Sequence, residues 1–314
     1  MTDWTRRVLS GAALGLVAAG AASRAAAQAV PTPPVPEPGF GADRLNRGRL
    51  TVPVRIDGRG PFTFAVDSAA NASVIASDLA GALSLPPDGE IAMHTLIARE
   101  IVDTVRARRL QTGALDVSGP RLAVASRAGM DGLDGLIGTD LLGHLRLDLA
   151  FRGRRRIRVS RSRRTGDGFF EARRATTRLV RAVEQRFGDL LMIEIQVGGA
   201  TASAILDTGA QVSIANLALT RASGAPRITL RDGRTSERVQ SPTGRAAEAT
   251  PVMIPNLRFG GITVGRLPIL TGDFHTFELW GVSDRPALLM GVDILGLFER
   301  VAIDLKRGEV VFEV

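Results

Sequence analysis

The sequence contains no cysteine and no tyrosine, a single lysine and three histidines among its 314 residues. Without cysteine there can be no disulfides, thiol nucleophiles, iron–sulfur clusters or cysteine-based zinc sites. The histidines, His94, His144 and His275, are far apart in the chain, so a histidine-rich metal centre is not expected. Any catalysis should therefore depend on carboxylates, hydroxyls or backbone groups, and we expect no cofactor. Hydrophobic residues make up 45% of the chain, and its length is typical of two domains.

Residues 1–29 have the pattern of a cleavable export signal. Arg6 and Arg7 precede an apolar stretch of about 15 residues, and Ala27-Gln28-Ala29 is a small-residue cleavage site. The stretch is shorter than the roughly 20 residues that a membrane span needs, and the paired arginines resemble a twin-arginine signal. We therefore expect a periplasmic or secreted protein, in which residues 30–44 form a proline-rich linker.

The chain contains an internal repeat. Residues 56–74 (IDGRGPFTFAVDSAANASV) align without a gap to residues 196–214 (QVGGATASAILDTGAQVSI), at an offset of 140 residues. Each copy predicts a strand, a tight turn that contains glycine, a second apolar strand and then Asp-Ser or Asp-Thr. The chain therefore carries an equivalent aspartate, Asp67 or Asp207, in each half.

A second pair of matching segments lies later in each half. Residues 136–143 (LIGTDLLG) match residues 289–296 (LMGVDILG), and an alternating strand that contains Asp148 or Asp304 follows each. Because the two pairs occur in the same order, we interpret the chain as a tandem duplication of one all-β unit. The predicted lobes are residues 45–160 and 187–314, and the predicted linker between them is 161–186.

The coarse secondary structure agrees with an all-β chain that has few short helices. Turn residues separate short apolar or alternating runs at intervals of roughly 8 to 12 residues. The predicted strands include 50–56, 62–66, 190–197 and 202–206. Helices are expected near 76–82 and 216–222 and after each of the 136–143 and 289–296 segments.

Leu206-Asp207-Thr208-Gly209-Ala210 resembles the signature of the retropepsin-like aspartic proteases. Residues 289–295 look like the apolar-Gly-x-Asp-Leu-Leu element that follows it in that family, and both elements are duplicated here. The resemblance implies two retropepsin-like β-barrel lobes related by a pseudo-twofold axis. It also implies an aspartic endopeptidase that acts on peptides or proteins.

Metal-free peptide hydrolysis needs a base that activates water and an acid that polarises the carbonyl. Two carboxyl groups in close contact cannot both ionise, so they share a proton and titrate as a unit. Asp67 and Asp207 are the predicted catalytic pair. Since both are in one chain, we expect a monomer that contains its own pseudo-dimer.

The resemblance assigns roles to the residues around the pair. Ser68 and Thr208 would direct their hydroxyls across the axis and join the two active loops. The remaining loop positions are Ala69, Ala70, Gly209 and Ala210. The residues that would pack behind the loops are Ile137, Gly138, Met290 and Gly291. Flap hairpins would cover an extended substrate, and we place them near residues 90–109 and 238–247.

The first copy departs from the family pattern at Ala69, where the family has glycine. An added Cβ can prevent a special backbone conformation or a close approach. If φ of Ala69 is negative, the methyl group can be tolerated; otherwise the Asp67 loop shifts. The alternative function is therefore a catalytically degenerate homologue that binds extended peptides, or an envelope scaffold.

The net charge of +8 is concentrated in one segment. Residues 152–164 contain eight arginines and no acidic residue. We interpret this segment as a solvated strand and linker, and the alternative is a segment that binds an anionic envelope surface. We expect no nucleic acid as a partner, because an exported protein is separated from it.

Four further aspartates and one histidine could be taken for metal or catalytic groups. Asp140, Asp148, Asp293 and Asp304 are interpreted as caps, turn residues or strand-surface residues, since their spacing offers no convergent oxygen ligands. His144 and Asp148 are too far apart along a strand to form a pair, so His144 is predicted to be non-catalytic.

Overall fold

The computed structural model describes residues 28–29, 49–152, 156–163, 177–182, 184–186, 190–230 and 232–314. The signal predicted over residues 1–29 lies outside this part, apart from Gln28 and Ala29, and so does the proline-rich linker 30–44. Among the described residues, none of the helices has the length and the apolar character that crossing a membrane requires.

Short strands dominate the described chain. The first strands are β1 Gln28–Ala29, β2 Thr51–Ile56, β3 Arg59–Val66, β4 Val74–Ala76, β5 Pro87–His94, β6 Arg99–Arg106, β7 Arg109–Thr112, β8 Leu115–Ser118, β9 Arg121–Ala125, β10 Gly135–Ile137, β11 Leu145–Ala150 and β12 Arg156–Arg161. The later strands are β13 Thr177–Arg181, β14 Glu184–Arg186, β15 Leu190–Val197, β16 Ala200–Leu206, β17 Ile214–Ala215, β18 Glu237–Gln240, β19 Ala246–Ile254, β20 Leu257–Phe259, β21 Ile262–Val264, β22 Leu267–Thr271, β23 Ala287–Met290, β24 Arg300–Asp304 and β25 Glu309–Glu313. This confirms the predicted all-β class.

The helices are short, as predicted. They are α1 Ser77–Leu83, α2 Thr139–Leu142, α3 Leu217–Ser223, α4 His275–Leu279 and α5 Val292–Leu295, with a 3-10 turn at Ala128–Met130. The first, second, third and fifth lie where the sequence indicated helix. The 3-10 turn and α4 occupy equivalent places, before β10 and β23. They were not predicted, because their sequences share no pattern.

The duplication is visible in the sheet topology. In the N-terminal lobe, β10 pairs parallel with β3 and antiparallel with β4. In the C-terminal lobe, β23 pairs parallel with β16 and antiparallel with β17. Each lobe thus places one strand between the two strands that flank its active loop, so the loops that contain Asp67 and Asp207 occupy equivalent positions.

A five-stranded sheet, in the order β12-β11-β24-β25-β13, joins the lobes. Its central strands come from opposite lobes, and Leu147 lies beside Ile303 in their antiparallel register. Asp148 and Asp304 are not strand-surface residues, because they are only 4% and 2% exposed. The turn role predicted for Asp304 is confirmed, since its Oδ1 accepts the N–H of Arg307 at 3.2 Å in the turn after β24. The central position of the two strands between the lobes buries both aspartates, and Asp148 forms an ion pair with Arg146 at 2.8 Å.

Two strands lie inside the predicted linker 161–186. Val180 in β13 is buried, and β13 pairs with β25 along its whole length, while β14 pairs with β15. These parts of the segment are therefore strands and not linker, because β13 forms backbone pairs with the edge of β25 and β14 with the edge of β15. The rest of the linker beyond Arg163, except Ala182, lies outside the described residues.

The arginine-rich segment 152–164 is described over residues 152 and 156–163. In edge strand β12, Ile157 and Val159 are buried while arginines are exposed at alternate positions. This arrangement is the one expected of a solvated edge strand. Contact of these arginines with an anionic surface stays a prediction.

Candidate active site

The loops that follow β3 and β16 bind their aspartates in the same way. Oδ1 of Asp67 accepts hydrogen bonds from the backbone N–H groups of Ala69, at 3.0 Å, and Ala70, at 2.9 Å. Oδ1 of Asp207 accepts the equivalent bonds from Gly209 and Ala210, both at 2.8 Å. Each carboxyl group therefore has one oxygen fixed by its own loop.

Ser68 and Thr208 join the loops by reciprocal hydrogen bonds, as the resemblance implied. The Ser68 hydroxyl donates to the Leu206 carbonyl at 2.7 Å, and the Thr208 hydroxyl donates to the Val66 carbonyl at 2.6 Å. Each hydroxyl also accepts the backbone N–H of the other residue at 3.1 Å. Both side chains are 1% exposed or less, so water does not compete for these bonds.

The apolar-Gly segments lie behind the loops. The N–H of Asp67 donates to the Ile137 carbonyl, and the N–H of Asp207 donates to the Met290 carbonyl, both at 2.9 Å. A Cβ on Gly138 would lie 2.7 Å from the Ala70 carbonyl oxygen, so this approach requires glycine.

Gly291 repeats the arrangement in the second lobe. A Cβ there would lie 2.9 Å from the Ala210 carbonyl oxygen, so glycine is required for the same reason. The four predicted residues behind the pair therefore contact the loops through their backbones.

A serine–aspartate pair supports each loop from behind, and its serines were not among the residues predicted from the sequence. Ser213 donates through its N–H and its hydroxyl to Asp293, and its hydroxyl accepts the N–H of Gly291 at 2.9 Å. Ser73 and Asp140 form the same arrangement in the first lobe. The offset of 140 between the two serines was the signal in the sequence that could have revealed them.

Burial raises the pKa of Asp293 to about 6, although hydrogen bonds from Ser213 oppose the shift. The folded state therefore binds a proton that the unfolded state releases between about pH 4 and 6. As pH rises through this range, the contribution of Asp293 to stability decreases. The same direction holds for Asp140, whose pKa is also raised by burial.

We predict that Asp293→Ala lowers the free energy of unfolding by about 3 kcal/mol at pH 4.5, because it leaves two buried donors of Ser213 unpaired. The penalty should shrink by about 2 kcal/mol at pH 7, where wild-type Asp293 is ionised and less favourable. Urea unfolding at both pH values measures this difference. Asp284→Ala, at an exposed position, is the control, and an equal penalty at both pH values would contradict the assigned pKa.

The two carboxyl groups are close enough for a side-chain hydrogen bond between Asp67 and Asp207. Burial, and then the charge of Asp67, raise the pKa of Asp207 to about 8, and burial also raises the pKa of Asp67. The cation of Arg49, which forms an ion pair with Asp131 at 3.3 Å, lowers both pKa values but less strongly. The two carboxyl groups therefore titrate as a coupled pair that retains a proton to higher pH than an isolated aspartate does.

The third loop position differs between the lobes. A Cβ on Gly209 would overlap the carboxyl group of Asp67, so glycine there is required by close approach and not by its backbone conformation, since its φ is not left-handed. Ala69 does not have a positive φ either. Its side chain packs against the C-terminal-lobe cluster that contains Ile214 and Leu289. Alanine is therefore accommodated without backbone strain.

Two hairpins cover the cleft above the pair. β5 and β6 form the first flap, with its tip at Thr95–Ala98 closed by a 2.9 Å hydrogen bond from Thr95 to the Ala98 carbonyl. β18 and β19 form the second flap, with its tip around Pro242. Both flaps overlap the segments predicted from the sequence, residues 90–109 and 238–247, but neither lies entirely within its segment.

The tip of each flap contacts the opposite lobe. The Leu96 carbonyl of the first flap accepts a hydrogen bond from Thr276 in α4 at 3.3 Å. The Pro242 carbonyl of the second flap lies so close to Gly129 that a Cβ there would overlap it. The flaps also contact each other, because the hydroxyl of Thr243 donates to Glu100 at 2.6 Å.

The space under the flaps is a small cleft with a volume of about 150 Å³. Both aspartates line it, and its wall is largely apolar, with Met93, Leu136, Ile214, Trp280 and Leu289 among the lining residues. Within the described ranges, no cluster of three histidine, aspartate or glutamate side chains could hold a metal ion.

A family model described as aspartyl protease matches residues 52–141 and 193–294, one segment in each lobe. Among solved structures, a retropepsin-like aspartic protease from Rickettsia conorii is 18% identical, with a TM-score of 0.30, and the match covers 43% of this chain and 89% of that chain. The search of curated proteins gives no match.

Proposed function

Because this chain belongs to the family of retropepsin-like aspartyl proteases, we propose that it is an endopeptidase that hydrolyses peptide bonds with a water molecule activated between Asp67 and Asp207. The observation that carries the proposal is the equivalence of the two aspartate loops. Each aspartate accepts two backbone N–H bonds through one oxygen and contacts the other aspartate with its side chain.

The reaction follows from the shared proton. Asp67 acts as the base and removes a proton from water, and the water oxygen bonds to the carbonyl carbon. Asp207 donates its proton to the carbonyl oxygen, which gives a neutral tetrahedral intermediate. Collapse breaks the C–N bond, the leaving nitrogen takes the proton from Asp67, and a hydroxyl of the intermediate returns a proton to Asp207. The pair thus regains its starting charge.

The flaps and the apolar cleft favour an extended peptide as the substrate. A strand-like segment can bond to flap backbone while its alternate side chains enter the apolar walls. Since Leu136 and Leu289 occupy equivalent positions on the two sides of the cleft, we expect preference for apolar side chains on both sides of the scissile bond.

Digestion of an unfolded protein by the full chain in ¹⁸O-water tests the proposal. Mass spectrometry should find internal cleavages, each with a single ¹⁸O atom in the new carboxyl group, and chelators and thiol or serine reagents should have no effect. Absence of product would contradict the proposal. Saturable binding of the same unfolded protein without product would instead support the alternative of a degenerate peptide-binding homologue.

The pH dependence should report the proton held by Asp207. Because the acid must be protonated, we predict that kcat/KM falls above about pH 8, tenfold for each further pH unit. Rates with a peptide substrate that carries no ionisable groups, measured from pH 5 to 9.5, check this. A decline that starts near pH 5 to 6 would show that burial does not retain the proton as the structure indicates.

A further inference from the structure

Two of the three histidines meet across the cleft, although 181 residues separate them in the chain. Nδ1 of His94 lies 3.0 Å from Nε2 of His275, and the two rings stack with centroids 5.3 Å apart at an interplanar angle of 13°. His94 is the last residue of β5 in the first flap, and His275 is the first residue of α4 in the opposite lobe. The pair therefore connects a flap to the lobe that it covers.

The histidines belong to a larger docking contact. Leu96 and Ile97, at the tip of the flap, pack against the C-terminal-lobe cluster that contains Phe277. The backbone N–H of Thr276 donates to the Leu96 carbonyl at 3.3 Å. Apolar contacts and this one backbone bond do not titrate, so the imidazole pair is the part of the contact that responds to pH.

We propose that His94 and His275 are positioning residues that latch the first flap over the cleft, and that the latch opens when both imidazoles are protonated. Its effect on hydrolysis rests on the proposed function, whereas the docking of the flap does not.

The chemistry of imidazole explains the switch. Two neutral rings, or one neutral and one protonated ring, can share an N–H···N hydrogen bond, because one nitrogen still has a free lone pair. Two protonated rings have only donors at these nitrogens, and their like charges repel at 3.0 Å. The hydrogen bond between the two rings is therefore lost only when the second imidazole is also protonated.

The surroundings disfavour that second proton near neutral pH. Burial, the charge of His275 and the charge of Arg99 lower the pKa of His94. Arg99 faces His94 across the hairpin, and the carboxylate of Glu278 lies 3.8 Å from Nδ1 of His275. The carboxyl pair lines the same cleft as His94. A negative charge on that pair or on Glu278 favours a protonated imidazole and so acts against burial and Arg99, but the balance at His94 is a lowered pKa. The latch is thus closed at neutral pH and opens on acidification.

The double substitution His94→Asn with His275→Gln tests the proposal. An asparagine amide reaches about as far as Nδ1 and a glutamine amide about as far as Nε2, so the variant can keep a hydrogen bond that does not titrate. In the wild type, acidification from pH 7 to 5 should raise KM about fivefold to tenfold with kcat nearly unchanged. In the double variant KM should change less than twofold. His144→Asn, at an exposed position, should behave as wild type.

Amide hydrogen exchange of Thr276 provides a readout without substrate, because its N–H is bonded to the flap. Its protection factor should fall at least fivefold between pH 7 and 5 in the wild type and stay constant in the double variant. Equal pH dependence of Thr276 protection in both proteins would overturn the latch. If neither the wild type nor the variants hydrolyse peptides, the exchange of Thr276 still shows whether the latch opens on acidification. The absence of hydrolysis would then contradict only the proposed function.

Discussion

Replacing Asp207 by asparagine should reduce kcat about 10³- to 10⁴-fold, and Asp67→Asn should do the same. Asparagine can neither accept the proton from water nor donate one to the carbonyl oxygen, so each change stops one half of the proton transfer. The side-chain oxygen that accepts the N–H groups of Gly209 and Ala210 is retained in Asp207→Asn. The geometry of the loop should therefore survive.

Stability separates this effect from unfolding. Burial and the charge of Asp67 raise the pKa of Asp207 to about 8, so the coupled pair retains a proton at pH 7, and asparagine has the shape of the protonated side chain. Thermal unfolding at pH 7 should shift by only a few degrees. Rates from a peptide-cleavage assay, with the exposed Asp284→Asn as control, measure the loss. Activity within tenfold of wild type in both variants would falsify the carboxyl-pair mechanism.

Gly209→Ala should reduce kcat by at least about 10²-fold, although it adds a single methyl group. The new Cβ would overlap the Asp67 carboxyl group, so that side chain or its loop must move. Displacements of about 1 Å at reacting groups have effects of this size. Because φ of Gly209 is not left-handed, the substitution introduces no backbone strain, and its effect is purely steric.

The chain supplies the matched control at the equivalent position of the other lobe. Ala69→Gly removes a methyl group that packs on the C-terminal-lobe cluster and leaves both N–H bonds to Asp67 in place. It should change kcat less than threefold and cost about 1 kcal/mol of stability. Comparable losses of activity in the two variants would show that the lobes are not asymmetric at this position. A gain of activity in Ala69→Gly would show that alanine impairs the first lobe.

The sequence left open whether the backbone at Ala69 tolerates a side chain where the family has glycine, and the structure shows that it does. Glycine at this loop position can serve either a left-handed conformation or a close approach, and sequence cannot distinguish them. Neither loop uses the left-handed region, so the alanine meets no conformational barrier. Whether the pair works at full rate is decided by the two substitutions above.

The sequence by itself determined the parts of the molecule that repeat locally. The duplicated Asp-Ser/Thr loops, the apolar-Gly segments behind them and the helices that follow each are short-range patterns, and their equivalence in two copies made the twofold arrangement of Asp67 and Asp207 predictable. The reciprocal bonds of Ser68 and Thr208 follow from the same symmetry.

Only the tertiary structure decided the features that depend on contacts between distant segments. His94 and His275 are not equivalent positions of the repeat, so no symmetry in the sequence points to their meeting. Asp148 and Asp304 are polar residues in alternating strands, which is the pattern of an exposed face, and only the pairing of β11 with β24 buries them. Residues 177–181 became a strand because β25 offers an unpaired edge. A local pattern records the period of a segment, whereas burial and pairing depend on what the rest of the chain places beside it.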